Sequence, residues 1–578
     1  MKRRLCCMKK NISSQAESRV RRQLAEALLF EELLPYEERG EEFILYGKHT
    51  YLFTGKRSAW DRIRLDEKGI FVVKKGKKEE ADIHDLLKEI SGNDEIYSEV
   101  AAELEQTVKF TNHTLQLERK HRSTLSYEEL EAEIDEGHRY HPCFKSRSGF
   151  SLEDSVMYGP EHKSSFALGW LAVRRDQCHL ALPCEETAFW KKELGSELYQ
   201  MLTGKLSALT KDTEKYTLLP VHPWQWENIK YSLLKEALEK KHILWLGEAG
   251  PLYRATTSVR TLFCVENPER AHIKLSMNMR NTSSLRTLPV HSVYTAPEVS
   301  DWLQNLVNSD PYLKKRMLLL REYAGAVYCP YNRGTEREAE GQLGVIWRES
   351  VRAKLQEKQS AAPFTALYSR ERDESLFLKD WLTMYGTEEW MMQFIKTAVL
   401  PVWHLLAAHG AAVEAHAQNM VLIHENGWPA GVILRDFHES VEYTAEFLAN
   451  GVLPEFETSN SYYRHAPDGK YYRMANVEAL RELVMDTLFV FHLSELSYVL
   501  EAEGCMSENR FWNMVSDLIE EHVEYYDLKS RHELLEFDKE KIFAESLLKK
   551  RLCGKKEEEC RHLVNNPFFS WKKGRQKR

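Results

Sequence analysis

Residues 413–440 constrain the fold of this chain more than any other stretch of the sequence. Two apolar runs, 420–423 and 432–434, flank residues 424–429, which carry an Asn-Gly turn signal. Apolar runs separated by such a signal are typical of two antiparallel strands. The sequence therefore predicts a β-hairpin with a slightly long loop.

Polar side chains border both ends of this predicted hairpin. Because an antiparallel hairpin brings its open ends together, we expect them to cluster, although a solvated hairpin end is the alternative interpretation. Carboxylate and amide oxygens among them suit Mg²⁺. The residues before the first strand are Glu414, His416, Gln418 and Asn419, and those after the second are Asp436 and Glu439.

Composition and charge limit the classes of function. With 578 residues, 43% hydrophobic and 29% charged, the chain has the composition of a globular protein of two to four domains or one large composite fold. A net charge of -8 argues against a general nucleic-acid binder. The chain has no run of about 18 uncharged apolar residues, so no membrane-spanning segment is expected. Ten cysteines without a C-x-x-C pair predict reduced thiols, a cytoplasmic location and no zinc site.

The first quarter of the chain predicts mostly helices, with short strand-like runs at 43–54 and 69–75. A cationic loop follows at 137–150, and both a structural role and contact with an anionic substrate remain open for it. Further on, prolines on both sides of a Val-His pair hold the backbone extended and fix the direction of His222.

A second hairpin is predicted from residues 254–263 and 272–278. Strand alternation puts Ser258 and Arg260 on one face of the first strand and Lys274 on the polar face of the second. If these faces coincide, Arg260 and Lys274 are neighbours. Two cations on adjacent strands repel each other unless an anion lies between them.

The segment 281–286 strengthens this interpretation. It offers the hydroxyls of Thr282 and Ser283 at a predicted helix start, with Arg286 one turn later. Helix N-termini and short hydroxyl side chains bind phosphate well. Together with Arg260 and Lys274, these residues predict a cradle for a triphosphate or a carboxylate.

Six motifs in this order resemble the IucA/IucC family of siderophore synthetases. The resemblance runs from about residue 95 to the Asn-Pro pair at 566–567, and Arg139 stands where the family pattern has Pro. Residues 18–24 resemble the petrobactin branch more than the aerobactin branch. The motifs are G-H-R-Y-H-P-x-x-K-x-R-x-G-F (137–150), P-V-H-P-W-Q (220–225), T-x-S-x-R-T (256–261), K-L-x(6)-T-S-x-x-R (274–286), E-A-H-x-Q-N (414–419) and R-D-F (435–437).

The resemblance implies an α+β fold shaped like a cupped hand, in which antiparallel β-hairpins carry the nucleotide site. The expected parts are a mostly helical thumb (1–165), β-rich fingers that bind phosphate (166–350), and a palm with the metal-binding hairpin and C-terminal helices (351–578). It further implies ATP and Mg²⁺ between fingers and palm, and a homodimer. The implied reaction is adenylation of a carboxylate of citrate or a citrate mono-amide, followed by capture by an amine or polyamine with release of AMP and pyrophosphate.

The resemblance also assigns roles residue by residue. The implied catalytic residues are Arg260, Lys274, Arg286 and His416, and the three cations among them, with Mg²⁺, are aimed at the charge that develops on the α-phosphorus. The implied phosphate and carboxylate contacts are Ser258, Arg260, Lys274, Thr282, Ser283 and Arg286; the nucleotide contacts His222, Gln418 and Asn419; the acid contacts Thr282, Arg286 and His416; and the magnesium ligands Glu414 and Asp436.

Two other classes of function are weighed against the ligase. Glu414 and Asn419, followed by Asp436-Phe437, resemble the D-x-x-x-x-N and D-F signals of phosphotransferases, which would make the protein a small-molecule kinase. However, Glu414 replaces the catalytic Asp of that pattern, and the N-terminal region has no Gly-rich phosphate loop. A non-enzymatic sensor of citrate or nucleotide would bind ATP without consuming it.

Overall fold

The N-terminal part is a long helix packed beside a five-stranded antiparallel meander. A computed structural model describes residues 2–90, 92–134, 138–282, 284–330, 338–553 and 560–576. The expectation of a mostly helical start with two strand-like runs is wrong in part, because the sheet occupies most of the chain between residues 36 and 80. The elements of this N-terminal part are α1 (Lys2–Phe30), β1 (Tyr36–Arg39), β2 (Glu42–Tyr46), β3 (Thr50–Arg57), β4 (Ile63–Lys74), β5 (Lys77–Glu80), α2 (Ile83–Ile90), α3 (Asp94–Thr114) and α4 (Tyr127–Glu133).

The middle of the chain forms an eight-stranded antiparallel sheet of order β7-β15-β16-β11-β10-β9-β6-β8. Strands β12 and β13 form a separate two-stranded pair. The elements are α5 (Leu152–Tyr158), β6 (Phe166–Arg174), β7 (Cys178–Ala181), α6 (Glu186–Leu194), α7 (Ser196–Leu209), β8 (Tyr216–Val221), α8 (Pro223–Ile229), α9 (Lys235–Glu239), β9 (Ile243–Ala255), β10 (Thr261–Cys264), β11 (His272–Leu275), β12 (Arg280–Asn281), β13 (Ser284–Leu285), α10 (Val290–Ser309), β14 (Met317–Leu319), β15 (Glu322–Tyr328) and β16 (Gly344–Arg348).

A four-stranded sheet of order β14-β20-β19-β17 follows, in which β14 runs parallel to β20. Strands β18 and β21 pair separately beside it. The elements are β17 (Ser360–Pro363), α11 (Phe364–Leu367), α12 (Lys379–Tyr385), α13 (Thr387–Phe394), α14 (Leu400–His404), β18 (Ala411–Val413), β19 (Met420–Glu425), β20 (Trp428–Leu434) and β21 (Val441–Tyr443).

Helices dominate the C-terminal part. Three π-helical segments, Ile395–Val399, Leu405–His409 and Met485–Leu493, interrupt the long helices of this half. Residues 541–545 pair with 561–565 as antiparallel strands among these helices. The elements are α15 (Glu455–Ser459), α16 (Val477–Val484), α17 (Ser494–Ala502), α18 (Glu508–Tyr525), α19 (Lys529–Leu534), β22 (Lys541–Glu545), α20 (Leu547–Cys553), β23 (Arg561–Asn565) and α21 (Pro567–Gln576).

Two large apolar cores organise these elements. One core lies entirely between residues 166 and 347, within and around the eight-stranded sheet. The other combines residues 20–144 with residues 299–568, so the two ends of the chain share one core. The division into thumb, fingers and palm stays a prediction.

Two helical stretches, Thr387–His409 and Val477–Ala502, are long and apolar enough to cross a membrane by length and composition alone. In the folded chain 78% and 72% of their apolar windows are buried, and buried core helices pass the same test. The cytoplasmic location stays a prediction.

Candidate functional site

The hairpin predicted around residue 425 is present. Strand β19 pairs with β20 antiparallel, from Met420 opposite Leu434 to Glu425 opposite Trp428. The loop is shorter than expected, because only Asn426 and Gly427 lie between the strands. Both have positive φ, 51° and 89°, as a type I′ turn requires.

The open end of this hairpin gathers polar groups from both sides. Strand β18 pairs with β21, and this places Glu414 beside Ser440. The Ser440 hydroxyl donates to Glu414 Oε2 at 2.8 Å, and Asn419 Nδ2 donates to the Glu414 carbonyl at 3.1 Å. His416 Nε2 lies 3.9 Å from Glu414 Oε1, and His416 Nδ1 accepts from the Gln418 N–H at 3.1 Å.

Asp436, which follows β20, lies between cations of the eight-stranded sheet. Its Oδ1 accepts from Lys274 Nζ and from Arg348 Nη1, both at 2.8 Å. Burial opposes its ionisation, but Arg348, Lys274 and Arg435 outweigh burial and hold the pKa of Asp436 well below its usual range. Asp436 is therefore a carboxylate under any physiological condition, and it joins the hairpin to strands β11 and β16.

The turn after Asp436 is held by Glu322, at the start of β15. Glu322 Oε2 accepts from the backbone N–H groups of Phe437 and His438, at 3.2 and 3.0 Å, and Oε1 lies 2.7 Å from His438 Nδ1. The side chains of Glu322, Asp436 and His438 each offer one ligand atom within 4.8 Å of the others. The backbone of Asp436 has φ 65°, which this network holds in place.

The expected strand over 254–263 is wrong in its centre. Strand β9 ends at Ala255 and β10 begins at Thr261, and the chain between them turns tightly, with the Thr256 N–H donating to the Thr261 carbonyl at 2.9 Å. Val259 has φ 67°, which breaks the strand that alternation alone predicts. Ser258 sits in this turn, where its Oγ accepts from the Thr261 N–H at 3.2 Å.

Arg260 and Lys274 are nevertheless neighbours. Burial lowers the pKa of Lys274, Asp436 partly restores it, and the positive charge of Arg260 lowers it further. Burial likewise lowers the pKa of Arg260, against the attraction of Asp436 and Glu439. The predicted pair of mutually repelling cations therefore exists, and Arg260 is anchored by a 2.8 Å hydrogen bond from Nη1 to the Thr287 carbonyl.

The expected helix start at 281–286 is wrong. Strands β12 and β13 form a small hairpin there, and the next helix begins only at Val290. Thr282 lies in the turn with φ 60°, and its hydroxyl donates to the Asn281 carbonyl. Ser283 lies outside the described residues. An anion bound here would therefore not lie at a helix N-terminus.

Arg286 contacts the β12–β13 turn and interacts electrostatically with Glu414 and Asp436. Its Nη2 donates to the Asn281 carbonyl at 2.9 Å and to Thr282 Oγ1 at 3.0 Å, while its buried Nε has no partner within the described structure. Burial and the charge of Arg260, partly opposed by Glu414 and Asp436, lower the pKa of Arg286 to about 10. Arg286 thus lies within electrostatic reach of both predicted magnesium ligands.

His222 caps helix α8 and is fully buried. Its Nδ1 accepts from the Trp224 N–H at 3.1 Å, and its Nε2 is a buried nitrogen without a partner among the described residues. Burial lowers the pKa of His222 to about 3, so the ring is neutral. The rings of Tyr158 and Phe166 lie against it.

The cationic loop at 137–150 uses two of its charges internally. Glu161 accepts from Arg147 through both carboxylate oxygens, at 2.7 and 3.0 Å, and lies 3.0 Å from Lys145 Nζ. Burial, with smaller contributions from Arg551 and Arg286, lowers the pKa of His141 to about 4. His138 is similarly affected by burial, His141 and His416, with a pKa of about 3. Both rings are therefore neutral, and each accepts a backbone hydrogen bond within the loop.

Sequence reasoning missed Arg348 and Glu322, which position Asp436 and the turn after it. It also missed the buried contact between Arg435 Nη1 and Glu131 Oε1, at 2.8 Å, which ties the hairpin to helix α4. A charged residue at the end of an otherwise apolar strand was the available signal for both Arg348 and Glu322.

Comparisons with known proteins support the resemblance. A family model described as IucA / IucC family matches residues 126–369, and one described as ferric iron reductase FhuF-like transporter matches residues 388–560. A Bacillus anthracis protein named citryl-spermidine/3,4-dihydroxybenzoyl-citryl-spermidine:spermidine ligase is 36% identical over 95% of this chain and 93% of its own. A Staphylococcus aureus 2-[(L-alanin-3-ylcarbamoyl)methyl]-3-(2-aminoethylcarbamoyl)-2-hydroxypropanoate synthase is 29% identical over 97% of this chain and 94% of its own.

Solved structures agree with the sequence relatives. The petrobactin biosynthesis protein AsbB from Bacillus anthracis superposes with a TM-score of 0.90 at 34% identity, covering 98% of this chain and 97% of its own. ATP-bound aerobactin synthetase IucA from Klebsiella pneumoniae has a TM-score of 0.73 at 19% identity, covering 96% and 99%, and shares the fold.

The fold and the comparisons define an amide-forming ligase of siderophore biosynthesis. The chain belongs to the IucA/IucC family of siderophore synthetases. The expected likeness to the petrobactin branch is confirmed. The α+β class with antiparallel sheets is also confirmed.

Proposed function

We propose that this chain uses ATP to adenylate a carboxylate of citrate or a citrate mono-amide, and joins the activated acid to an amine or polyamine. The observation that carries the proposal is the meeting of two elements. Lys274 of β11 donates to Asp436, which follows the hairpin, and Arg260, in the turn before β10, interacts electrostatically with the same carboxylate. Arg286 interacts electrostatically with both Asp436 and Glu414. Cations opposite carboxylates can hold a metal-bound triphosphate and a second anion in one site.

Arg260 and Lys274 are proposed to bind the phosphate chain of ATP. Lys274 is buried and Arg260 is half-buried, burial lowers the pKa of both, and the charge of Arg260 lowers that of Lys274 further, so the phosphates of ATP would add negative charge beyond that of Asp436. The hydroxyls of Ser258, Thr282 and Ser283 are proposed to add hydrogen bonds to the same oxygens. Because the cations are anchored before the reaction, they stabilise charge on the phosphorus without reorganising.

Glu414 and Asp436 would hold Mg²⁺. The donor set fits a hard cation, since Asp436 is ionised and Glu414, with a side chain 34% exposed, has an accessible carboxylate. A magnesium ion held there would neutralise part of the charge of the phosphates. Glu322 holds the turn after Asp436 and so fixes the direction of its carboxylate.

The acid is proposed to bind between Arg286 and His416, with Thr282 assisting. The guanidinium of Arg286 already donates to Thr282 and has an unused buried Nε, so it can meet a carboxylate as a fork of donors. His222, Gln418 and Asn419 are proposed to hold the nucleotide around this point.

The amine is proposed to approach beside Glu439. This carboxylate, whose side chain is 48% exposed, lies 3.5 Å from His291 Nε2, and the Tyr471 ring packs 4.9 Å from the His291 ring. Burial opposes ionisation of Glu439, but His291, His438 and Ser292 outweigh it and lower its pKa to about 2. A permanent negative charge beside aromatic rings suits a protonated polyamine.

The products of ATP distinguish the ligase from the kinase. The full chain is incubated with ATP, Mg²⁺, citrate and a panel of polyamines, and the products are identified by mass spectrometry. We expect AMP, substrate-dependent pyrophosphate, a citryl amide, and an acyl hydroxamate when hydroxylamine replaces the amine. Stoichiometric ADP with a phosphorylated acid or amine would establish the kinase instead. ATP binding without any turnover would establish the sensor.

A further inference from the structure

A cluster of two histidines and one aspartate lies outside the site described above. Asp310 follows helix α10. His404 is the last residue of α14, and His409 is the last residue of the π-helical segment Leu405–His409 that leads into β18. Asp310 Oδ2 lies 3.0 Å from His404 Nε2 and 2.9 Å from His409 Nε2. All three ligand atoms lie within 4.8 Å of one another.

A π-helical turn creates this convergence. In an α-helix, residues five apart project about 140° from each other, so His404 and His409 would face different directions. The turn Leu405–His409 is π-helical, and i→i+5 hydrogen bonding puts residue i+5 about one turn above residue i. The two imidazoles therefore reach the same carboxylate oxygen. Gly410, with φ 76°, ends the helix directly after them.

Neighbouring groups fix the direction of two of the three side chains. Asp310 Oδ1 accepts from the backbone N–H groups of Tyr312 and Leu313, at 2.7 and 3.0 Å, which leaves Oδ2 for the histidines. His404 Nδ1 lies 2.8 Å from His522 Nε2, so a hydrogen bond behind the ring orients Nε2 toward Asp310. Histidines that bind metals are held in this way by a partner on the other ring nitrogen.

We propose that Asp310, His404 and His409 form a Zn²⁺ site with a fourth position open to water. Two imidazole nitrogens and one carboxylate are a ligand set that zinc accepts with tetrahedral geometry. Ligands about 2.0 Å from such an ion are about 3.3 Å apart, close to the separations seen here. The side chains of Asp310 and His409 are 13% and 17% exposed, which gives an ion access from solvent.

The proposed ion would link elements that are distant in sequence. Asp310 lies in the segment after α10. His404 lies in α14, His409 ends the π-helical segment that follows, and His522 lies in α18. A metal that binds the folded chain and not the unfolded one stabilises it by mass action. The expectation of no zinc site came from the absence of paired cysteines, and this arrangement needs none.

Zinc binding by the full chain, stripped with EDTA and then freed of the chelator, tests the proposal. We expect one equivalent of Zn²⁺ by competition with a chromophoric chelator, tetrahedral Co²⁺ absorption bands, and a zinc-dependent rise in Tm. His409→Ala and Asp310→Asn should weaken zinc affinity about 100-fold or more and abolish the rise in Tm. His522→Gln, which changes only the supporting ring, should weaken it by about 10- to 100-fold.

Three controls locate the ion. Mg²⁺ prefers oxygen ligands and should not bind this cluster. Any change in Tm that Mg²⁺ causes in the ATP-free chain should therefore be equal in wild type and His409→Ala. His465→Ala removes an exposed histidine elsewhere and should bind zinc as the wild type does. Asp436→Asn, measured well below its own Tm so that the chain is folded, should also retain zinc. Zinc binding that persists in His409→Ala, or that is lost in Asp436→Asn, would place the ion elsewhere and overturn the proposal, as would no binding at micromolar zinc.

Discussion

Lys274 Nζ and Asp436 Oδ1 lie 2.8 Å apart, although 162 residues separate them in sequence. The contact joins strand β11 of the eight-stranded sheet to the residue that follows the β19–β20 hairpin. Since Arg348 Nη1 lies at the same distance from the same oxygen, one carboxylate balances two buried cations. The arrangement makes Asp436 both a structural link and a group of the proposed reaction.

Asp436→Asn should therefore impair both stability and activity. Removing the charge leaves Lys274 and Arg348 without their shared partner, and breaking a buried ion pair from one side costs about 3 kcal/mol or more. We expect a lower free energy of unfolding in urea and a higher Mg²⁺ requirement. Glu414→Gln, at a side chain 34% exposed, should lower activity with little change in unfolding. Normal turnover of Asp436→Asn at limiting Mg²⁺ would contradict the metal assignment.

Arg286→Lys should separate acid binding from ATP binding. Lysine keeps the charge but loses the planar pair of donors that matches a carboxylate. We expect the KM for the acid to rise and kcat to fall, each by about tenfold, while the KM for ATP changes less. The matched variant Arg260→Lys should raise the KM for ATP more than that for the acid. Equal damage to ATP binding in Arg286→Lys would reassign that residue to the phosphates.

Glu495 should make stability sensitive to acid. Its Oε1 lies 2.8 Å from Arg62 Nη2 and 2.7 Å from Arg64 Nη1. Burial opposes ionisation, but Arg64 and Arg62 outweigh it and lower the pKa of Glu495 from 4.5 to about 2. That difference corresponds to about 3 kcal/mol, present above the unfolded-state pKa and lost as the pH falls toward 2.

Urea unfolding of wild type and Glu495→Gln at pH 7, 5 and 4 measures this contribution. The advantage of the wild type should be constant between pH 7 and about pH 5 and should begin to shrink at pH 4. Since glutamine does not titrate, the variant lacks this component of the pH dependence. An advantage that stays the same at pH 4 would show that Glu495 is not the titrating group.

Gly427→Ala should destabilise the hairpin through backbone strain and through a steric clash. The matched variant Gly451→Ala has the strain without the clash. Gly427 has φ 89°, and an added Cβ would collide with the Trp381 indole. Gly451, with φ 62°, has no atom within 4 Å of an added Cβ. Alanine at Gly451 should cost about 1 kcal/mol from backbone strain alone, and alanine at Gly427 should cost more. Equal urea midpoints for the two variants would mean that the Trp381 contact relaxes freely.

The hairpin was predictable because its signals are local. Asn426-Gly427 favours a type I′ turn, and the apolar runs on either side have no competing pattern. The strand expected over 254–263 failed for the opposite reason, since Val259 adopts a left-handed backbone that its side chain disfavours. Hydrogen bonds within residues 256–261 and between Thr257 and Glu131 of α4 hold that turn.

The cationic residues of the site were predictable from the sequence, but the residues that hold Asp436 and the following turn in place were not. Arg260, Lys274 and Arg286 stand out as charges near short hydroxyl residues. Arg348 and Glu322 are single charges at the ends of apolar strands, and their partners lie 88 and 116 residues away. No spacing rule connects residues so far apart, because the fold alone brings them together.

The core shared by residues 20–144 and 299–568 has a consequence for how the chain is made. The apolar faces of α1 and of the first sheet are synthesised long before the helices that cover them. During translation these apolar faces lack their native partners until the last hundred residues leave the ribosome, and until then only transient contacts or chaperones cover them. Chimaeras between this protein and its relatives should therefore keep their fold only when both ends of the chain are exchanged together.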